Sequence, residues 1–375
     1  MKKILVVGAG PCGLMASYQI KKNNPSYQVI LLDKDEFGKR IKVSGNGRCN
    51  FSNINVSEDK YYNGELIKDI IDDFKINQDK FYQEINLHYY HDDEGRCYPL
   101  TNSSKTVLTL LINALKKLNV EFHQKEEFIS YKKENQKYVV TTSLNSFLVD
   151  KIVFAIGGIS YLNKVDNYHH IVNLMNVSLS NLKPSLCPLI VKEKINQEAI
   201  GKRSKARVSL YNNNQKIYEE SGEVLFKKDG ISGIVIFNLA SYLVRQNKLN
   251  NPYLKINFIE NISKNDILHQ EKTFSKEEII NSYVISEIGK MIDKNNLYDN
   301  LSSFILHIKD FYPFSESQVT HGGILLNNIN LNTLSLKNDS NIFVGGELLD
   351  VDALCGGYNI FFAFACGYKI GKSLE

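Results

Sequence analysis

Three glycines near the start of the chain have the spacing needed to bind the phosphates of a dinucleotide. Gly8, Gly10 and Gly13 form a GxGxxG pattern, with an apolar run at Lys3–Val7 before it and helical apolar spacing at Leu14–Lys22 after it. Gly8 permits a tight turn, Gly10 lets a pyrophosphate approach the backbone, and Gly13 allows close packing of helix on strand. The helix would then present free N–H groups and the positive end of its dipole to the phosphates. This strand–turn–helix context predicts a dinucleotide site rather than a tight turn without a ligand.

An acidic residue supports this prediction. Asp33 closes the next apolar run, Gln28–Leu32. A carboxylate in that position accepts hydrogen bonds from the ribose of the adenosine half. It also disfavours a 2′-phosphate, so we do not expect NADP in this site.

A second glycine-rich segment follows at residues 44–50, with the sequence SGNGRCN. Successive N–H groups in such a loop form a concavity that binds anions. Arg48 adds a fixed positive charge and a forked hydrogen-bond donor. Taken alone, the segment is either a flexible loop or a phosphate-binding nest.

A third glycine-rich segment lies near the other end of the chain. Residues 345–350 follow a predicted strand at Asn341–Gly345, and residues 355–359 open a predicted helix at Tyr358–Ser373. The start of that helix could face the pyrimidine side of a flavin, where its dipole would stabilise the negative charge of the reduced ring. The alternative is a glycine-rich connection that serves only the packing of the chain and binds no ligand.

An ordered set of motifs resembles one known family. They are VSGNGRCNFSN (43–53), GRCYPL (95–100), FAIGGIS (154–160), PSLCPL (184–189), GEVLFKKDGISG (222–233), VTHGGI (319–324) and FVGGELLDVDALCGGYNIFFAFACGYKIG (343–371). This set is similar to the aminoacetone oxidase/BaiN-like flavoproteins, a branch of the glutathione-reductase-like FAD-binding superfamily. The resemblance covers nearly the full chain except a divergent helical stretch near 262–311.

The resemblance implies an α/β fold and FAD, not NAD, in the first site. A discontinuous Rossmann-type FAD-binding domain would comprise residues 1–188 and 316–375. An inserted β-rich domain would span 189–260, and a small helical domain 261–315.

The resemblance also assigns cofactor contacts by motif position. The predicted cofactor-binding residues are Gly8, Gly10, Pro11, Cys12, Gly13, Asp33 and Lys34 for the ADP half; Ser44, Gly45, Gly47, Arg48, Cys49 and Asn50 for the pyrophosphate and isoalloxazine side; Phe128, through its backbone, for adenine; Ala155, Gly157 and Gly158 near the adenosine; and Gly346, Glu347, Asp350, Gly356, Gly357, Tyr358 and Asn359 around the ribityl chain and ring.

The chain departs from the family pattern after the GGIS motif. The family continues there with a proline and a Gly/Ser-Thr-Asp-Gly turn, whereas this chain has Tyr161–Asn167. Ile234 likewise replaces a proline after DGISG. Any substrate contact made by the first of these loops is therefore in doubt.

The sequence leaves several reactions open. It has no second GxGxxG pattern, so a dedicated nicotinamide domain is not expected, and NAD(P)H would bind transiently over the flavin. We predict an FAD-dependent oxidoreductase that exchanges a hydride with a small molecule, as a reductase fed by NAD(P)H. The alternatives are an amine oxidase that uses oxygen, a flavin-dependent tRNA-modifying enzyme with Cys49 or Cys355 as its reactive cysteine and 202–207 as an RNA patch, and a non-catalytic flavin sensor.

Composition excludes several other classes. The net charge of +4 over 375 residues gives no general affinity for nucleic acid. No apolar run approaches the roughly 20 residues of a membrane helix, and without an export signal the cytoplasm is expected. Six scattered cysteines without a CxxC pair predict no metal site. No catalytic acid or base is assigned, although His321, Tyr161 and Tyr358 are candidate ring neighbours; the oligomeric state stays open.

Overall fold

The computed structural model describes residues 1–161, 167–246 and 248–374. The chain divides into two compact units. The first contains the described residues of 1–159, 164–182 and 322–375, and the second those of 160–163 and 183–321. Both ends of the chain thus belong to the same unit.

The first part of unit one alternates strands and helices. Its strands are β1 (Lys3–Val7), β2 (Gln28–Asp33), β3 (Ser52–Asn53), β4 (Tyr89–His91), β5 (Arg96–Pro99), β6 (Glu121–Gln124), β7 (Phe128–Glu134), β8 (Lys137–Thr142), β9 (Ser146–Val149) and β10 (Lys151–Phe154). Its helices are α1 (Pro11–Asn23), α2 (Lys39–Val43), α3 (Lys68–Glu84), α4 (Ser104–Lys117) and α5 (Tyr168–Leu174).

Unit two is richer in antiparallel strands. They are β11 (Lys183–Ser185), β12 (Leu189–Val191), β13 (Arg203–Asn212), β14 (Gln215–Lys227), β15 (Gly230–Ser232), β16 (Tyr253–Asn257), β17 (Phe304–Phe311) and β18 (Val319–His321). Its helices are α6 (Ile234–Val244), α7 (Lys264–Gln270), α8 (Lys276–Tyr283), α9 (Ser286–Gly289) and α10 (Leu297–Ser302). The chain then returns to unit one with β19 (Ile329–Asn330), β20 (Ser335–Leu336), β21 (Ile342–Val344) and α11 (Tyr358–Ser373).

The main sheet of unit one has the strand order β19-β20-β21-β10-β1-β2-β6. The central strands β21, β10, β1, β2 and β6 run parallel. Residues 4–7 of β1 and 29–32 of β2 are buried, because a parallel sheet is covered on both faces. Helices α1 and α11 pack against each other, so the N-terminal and C-terminal segments share one core.

A closed barrel forms the centre of unit two, in the order β12-β15-β14-β13-β16-β17. Its hydrophobic core also contains Ile267, Ile279, Ile288 and Leu297 from the helices that precede β17. These helices therefore do not have a core separate from that of the barrel.

The prediction that residues 262–311 are mostly helical is correct for α7 to α10 and wrong for 304–311. That segment is β17, which pairs with β16 and β12 and so closes the barrel. Leu306 and Ile308 are buried there, whereas Ile305 and Lys309 are exposed. This alternation with period two is typical of a strand.

Candidate functional site

Three turns that contain glycine, after β1, β10 and β21, lie at one edge of the parallel sheet. The strands β21, β10 and β1 lie side by side and run in the same direction, so their carboxyl ends share an edge. Gly8 follows β1, Gly157 follows β10, and Gly345 follows β21. Ligands of open α/β sheets bind at this edge.

The turn between β1 and α1 leaves space above Gly10. Gly8 has a φ of 102°, and a Cβ on Gly13 would lie 1.8 Å from the Gly8 carbonyl oxygen. A Cβ on Gly10, in contrast, would have no heavy atom within 4 Å. Gly10 also caps α1 without a side-chain hydrogen bond, and Pro11 occupies the first turn. The uncapped helix start and the open cradle together fit a phosphate group.

Cys12 points away from this cradle and into the core. Its side chain is 3% exposed, and burial raises the pKa of its thiol well above the ordinary value. A Cβ on Gly345 would lie 2.9 Å from the Cys12 sulfur, and a Cβ on Gly367 would lie 2.3 Å from the Cys12 carbonyl oxygen. Only the backbone of Cys12 is therefore available to a ligand, while its sulfur packs between β21 and α11.

Asp33 ties the end of β2 to the glycine turn. Its Oδ2 accepts a hydrogen bond from the Ala9 N–H at 2.7 Å, and its Oδ1 accepts one from the Asp35 N–H at 2.8 Å. Burial raises the pKa of Asp33, although the two N–H donors act in the opposite direction. Each carboxylate oxygen keeps acceptor capacity for a ribose hydroxyl. The neighbouring Lys34 is exposed.

The residues predicted near adenosine lie beside the same turn. The Ala155 N–H donates to the Val7 carbonyl at 2.8 Å, and a Cβ on Gly157 would have no heavy atom within 4 Å. Gly158 is half-buried. Phe128 begins β7 and packs its ring edge-on against Phe154 at 5.2 Å between ring centroids.

The 44–50 segment adopts the conformation expected of an anion-binding nest. Gly45, Asn46 and Gly47 have φ values of 56°, 54° and 83°. A Cβ on Gly47 would have no heavy atom within 4 Å. The Ser44 hydroxyl donates to the Ile41 carbonyl at 2.7 Å and fixes the start of the loop.

Arg48 and Cys49 of this segment differ in exposure. The Arg48 side chain is exposed, and its guanidinium lies 4.6 Å from the centroid of the Tyr98 ring. Cys49 is fully buried, and burial raises the pKa of its thiol to about 11. Only a small fraction of Cys49 would be the reactive thiolate at neutral pH, which argues against its role as a reactive cysteine.

The 44–50 segment joins the C-terminal turn directly. The Asn50 amide donates to the Ser52 carbonyl at 3.0 Å and accepts from the Gly357 N–H at 3.1 Å. The amide of Asn53 donates to the Gly356 carbonyl at 3.0 Å. A Cβ on Gly357 would lie 2.3 Å from the Ser52 carbonyl oxygen, so no larger residue fits there.

The C-terminal turn is stabilised by its own polar groups. Asn359 accepts from the Ala353 N–H at 2.9 Å and donates to the Ala353 carbonyl at 3.0 Å. The Tyr358 carbonyl accepts from the Tyr61 hydroxyl at 3.0 Å, and burial raises the pKa of the Tyr358 phenol to about 12. Gly357 caps α11 without a side-chain hydrogen bond, and the first turn has no acidic residue. A positive helix end is thus available to a ligand.

Glu347 and Asp350 lie between β21 and this turn. Gly346 has a φ of 70°, and Glu347 next to it is half-buried. Asp350 is 5% exposed, and its main-chain carbonyl accepts from the Asn63 amide at 2.8 Å. The predicted cofactor residues from both ends of the chain therefore lie within unit one.

Two candidate ring neighbours, His321 and Tyr161, lie in unit two. His321 ends β18, where it pairs with Lys183 of β11, and Tyr161 donates its N–H to the Phe314 carbonyl. The departure from the family pattern falls mainly on residues 162–166, which are outside the described residues.

The basic run at 202–207 is largely neutralised by acidic partners. Its ion pairs are Lys202 with Glu287, Arg203 with Glu223 and Arg207 with Glu260. Such paired charges are typical of a solvated protein surface. They weaken the interpretation of this run as an RNA patch.

Some features of the described residues bear on other classes of site. Among the described residues, no group of three or more His, Cys, Asp or Glu side chains is arranged to hold a metal ion. The six cysteines all lie in the described part of the chain, and none of them forms a disulfide bond. In the same part of the chain, no helix has both the length and the apolar character needed to cross a membrane.

Comparison with known proteins identifies relatives over the whole chain. A family described as HI0933-like protein Rossmann domain matches residues 2–373. A 3-dehydro-bile acid delta(4,6)-reductase of Clostridium scindens is 25% identical, with 100% of this chain and 99% of the relative aligned. A ribosomal RNA dihydrouridine synthase of Escherichia coli is 21% identical, over 99% of this chain and 97% of the relative.

A solved structure has the same fold. The 3-ketosteroid delta1-dehydrogenase of Sterolibacterium denitrificans superimposes with a TM-score of 0.54 at 11% identity, and the match covers 100% of this chain and 99% of that one. The predicted α/β Rossmann-type fold is thereby confirmed. The family match, together with the glycine-lined edge, confirms that the cofactor is FAD and that the chain is an FAD-dependent oxidoreductase.

Proposed function

The chain belongs to the HI0933-like Rossmann-domain family, and from that membership we propose that it reduces a carbon–carbon double bond conjugated to a carbonyl group in a small molecule, with NAD(P)H as the electron donor. The proposal is carried by the chemistry shared by two full-length relatives. One is named a delta(4,6)-reductase and the other a dihydrouridine synthase. Both names describe the addition of hydrogen across a carbon–carbon double bond.

FAD, when bound, would supply the hydride exchange. The open cradle at Gly10 and the start of α1 would hold its diphosphate, and Asp33 would accept hydrogen bonds from the adenosine ribose. Gly357 would place the start of α11 beside the pyrimidine ring, where the helix dipole stabilises negative charge. These residues would bind and orient the cofactor.

Arg48 is the candidate group for the substrate carbonyl. Its guanidinium is exposed and lies over Tyr98, and among the described residues no carboxylate forms an ion pair with it. Its Nε lies 3.4 Å from the Gly45 carbonyl oxygen. A guanidinium so placed would donate hydrogen bonds to a conjugated carbonyl and stabilise the negative charge that develops on its oxygen during reduction.

The electron donor would bind without a domain of its own. The sequence contains a single GxGxxG pattern, which the FAD site uses. NAD(P)H would therefore bind transiently. After hydride transfer, NAD(P)⁺ would dissociate and leave the site free for the acceptor.

Anaerobic stopped-flow spectroscopy of the purified yellow protein tests both half-reactions. We expect NADH or NADPH to bleach the flavin band at about 450 nm, and an α,β-unsaturated ketone to restore it. The matched saturated ketone should leave the flavin band bleached. A lack of bleaching with either nicotinamide would contradict the proposed donor. Bleaching by an amine, with recovery in oxygen alone, would favour the oxidase instead.

Reduction of uridine in RNA is the second candidate, because a ribosomal RNA dihydrouridine synthase matches nearly the whole chain. The neutralised run at 202–207 gives it no support. Incubation of the reduced enzyme with a ribosomal RNA fragment, followed by mass spectrometry of the nucleosides, separates the two candidates. Dihydrouridine in the RNA, with no turnover of the ketone, would replace the small-molecule proposal.

A further inference from the structure

The hydroxyl group of Tyr168 is buried without a hydrogen-bond partner among the described residues. Tyr168 is the first residue of α5 and is 4% exposed. The hydroxyl of Tyr131 nearby donates to the Leu174 carbonyl at 2.9 Å, and that of Tyr138 donates to Asp339 at 2.7 Å. Buried polar groups in folded proteins nearly always have a partner. The partner of Tyr168 is therefore expected to come from a ligand.

The start of α5 is attached to the strand predicted to contact adenine. The Asn167 amide donates to the Phe128 carbonyl at 3.0 Å and to a Glu127 carboxylate oxygen at 3.2 Å. One ring nitrogen of His170 lies 3.0 Å from the Ile129 carbonyl oxygen. These contacts fix the position of the Tyr168 backbone relative to β7.

On its other side, Tyr168 is close to the segment that follows β21. Burial, followed by the charges of Glu347 and Asp350, holds the pKa of the Tyr168 phenol well above its ordinary value. The hydroxyl is thus protonated at neutral pH and can donate a hydrogen bond. Its missing partner must be an acceptor that tolerates two carboxylates nearby.

This requirement discriminates between the parts of FAD. A phosphate oxygen would be repelled by the charges of Glu347 and Asp350. A ribityl hydroxyl, in contrast, can accept from a phenol and donate to a carboxylate at the same time. The charges of Glu347 and Asp350, residues predicted to surround the ribityl chain and ring, act on Tyr168, which agrees with a ribityl partner.

We propose that Tyr168 positions FAD by donating a hydrogen bond from its hydroxyl to a ribityl hydroxyl oxygen. The phenol would then be satisfied in the holoprotein and unsatisfied in the apoprotein. This inference depends on the FAD site alone and is independent of the substrate of the enzyme.

The variant Tyr168→Phe removes the hydroxyl and keeps the ring. The full-length protein is stripped of flavin and titrated with FAD, with quenching of flavin fluorescence as the readout. We expect the Kd for FAD to rise about tenfold, which corresponds to about 1.4 kcal/mol. The Kd for ADP, which has no ribityl chain, should change by less than about twofold. The apoprotein should keep its melting temperature or gain slightly, since an unsatisfied buried group has been removed.

Tyr131→Phe is the matched control, because the Tyr131 hydroxyl already has a protein partner. It should lower the melting temperature of apoprotein and holoprotein alike and leave the Kd for FAD unchanged. The proposal is overturned if Tyr168→Phe leaves the FAD Kd unchanged, or if it weakens ADP as much as FAD. A melting temperature lowered equally in both states, as for the control, would also overturn it.

Discussion

The side-chain amide of Asn53 donates a 3.0 Å hydrogen bond to the main-chain carbonyl of Gly356, and both groups are buried, 303 positions apart in sequence. The same side chain accepts from the Asn55 N–H at 2.8 Å through its Oδ1. Asn53, in β3 just after the 44–50 segment, thus links this part of the chain to the turn before α11. The two ends of the chain are held together by polar contacts in addition to the packing of α1 on α11.

Asn53→Asp should weaken this link. The carboxylate can still accept from Asn55 but cannot donate to Gly356, and it places two acceptors in contact. We expect the free energy of unfolding to fall by roughly 1–3 kcal/mol in urea titrations, and the Kd for FAD to rise as the start of α11 loosens. Asn55→Asp, at an exposed position, is the control and should stay within about 0.5 kcal/mol of the parent. Equal losses for both variants would contradict the role of the Asn53 amide.

Two alanine variants in the turn between β1 and α1 should differ in effect: one should lower stability, and the other should weaken FAD binding. Gly13→Ala places a Cβ 1.8 Å from the Gly8 carbonyl oxygen, so we expect the free energy of unfolding of the apoprotein to fall by about 3 kcal/mol or more. Gly10→Ala meets no protein atom within 4 Å and has an extended backbone with a φ of −78°. Its apoprotein should melt like the parent, while FAD binds at least about tenfold more weakly. Normal FAD affinity in Gly10→Ala would mean that the diphosphate does not occupy this space.

The nucleotide-binding half of the fold could be predicted because its signals are local. The turn at 8–13 lies between a strand and a helix that both have clear periodicity, and the structure has β1, α1 and β2 where they were expected. The sequence predicts a last helix that begins at Tyr358 and ends at Ser373, and α11 has those bounds. Gly8, with a φ of 102°, marks a backbone conformation that residues with a side chain rarely adopt, and such glycines carry much of this information.

The rest of the fold and of the site depends on contacts between residues that are distant in sequence. The periodicity of the sequence does not predict such contacts. β17 follows a run of short helices, and the sequence pattern does not separate it from them; it is a strand because β16 and β12 supply its partners. Asn53 lies inside the motif at 43–53, but the motif does not predict its contact with Gly356. Tyr168 follows the segment that departs from the family, so no motif pointed to it.

A histidine between two carboxylates should make stability depend on pH. The ring nitrogens of His123 lie 2.7 Å from Glu126 and 2.8 Å from Glu121. Burial lowers the pKa of His123, but the two carboxylates raise it more, so the pKa lies above its ordinary value of 6.5. The resulting stability is fully present below about pH 6.5 and is lost as the pH rises through the folded-state pKa.

The variant His123→Gln removes this dependence. Between about pH 6 and about pH 9, the difference in free energy of unfolding between parent and variant should shrink by roughly 0.5–1 kcal/mol, the range of a partly exposed ion pair. Chemical denaturation at several pH values measures it. His88→Gln, the same substitution at an exposed site, is measured in parallel as the control. A difference that grows with pH would mean that the folded-state pKa of His123 is lowered.

Thiol reactivity should separate Cys355 from the other five cysteines. Cys355 is partly exposed, whereas the remaining thiols are buried. Burial raises the pKa of Cys49 to about 11 and that of Cys366 to about 12, which leaves little thiolate at neutral pH. We expect iodoacetamide to modify Cys355 at least about tenfold faster than any other site, as followed by peptide mass spectrometry, and Cys355→Ser to remove the fast phase. Fast labelling of Cys49 would show that its segment opens in solution and would restore it as a reactive-cysteine candidate. Otherwise, any mechanism that needs a cysteine near the flavin has to use Cys355.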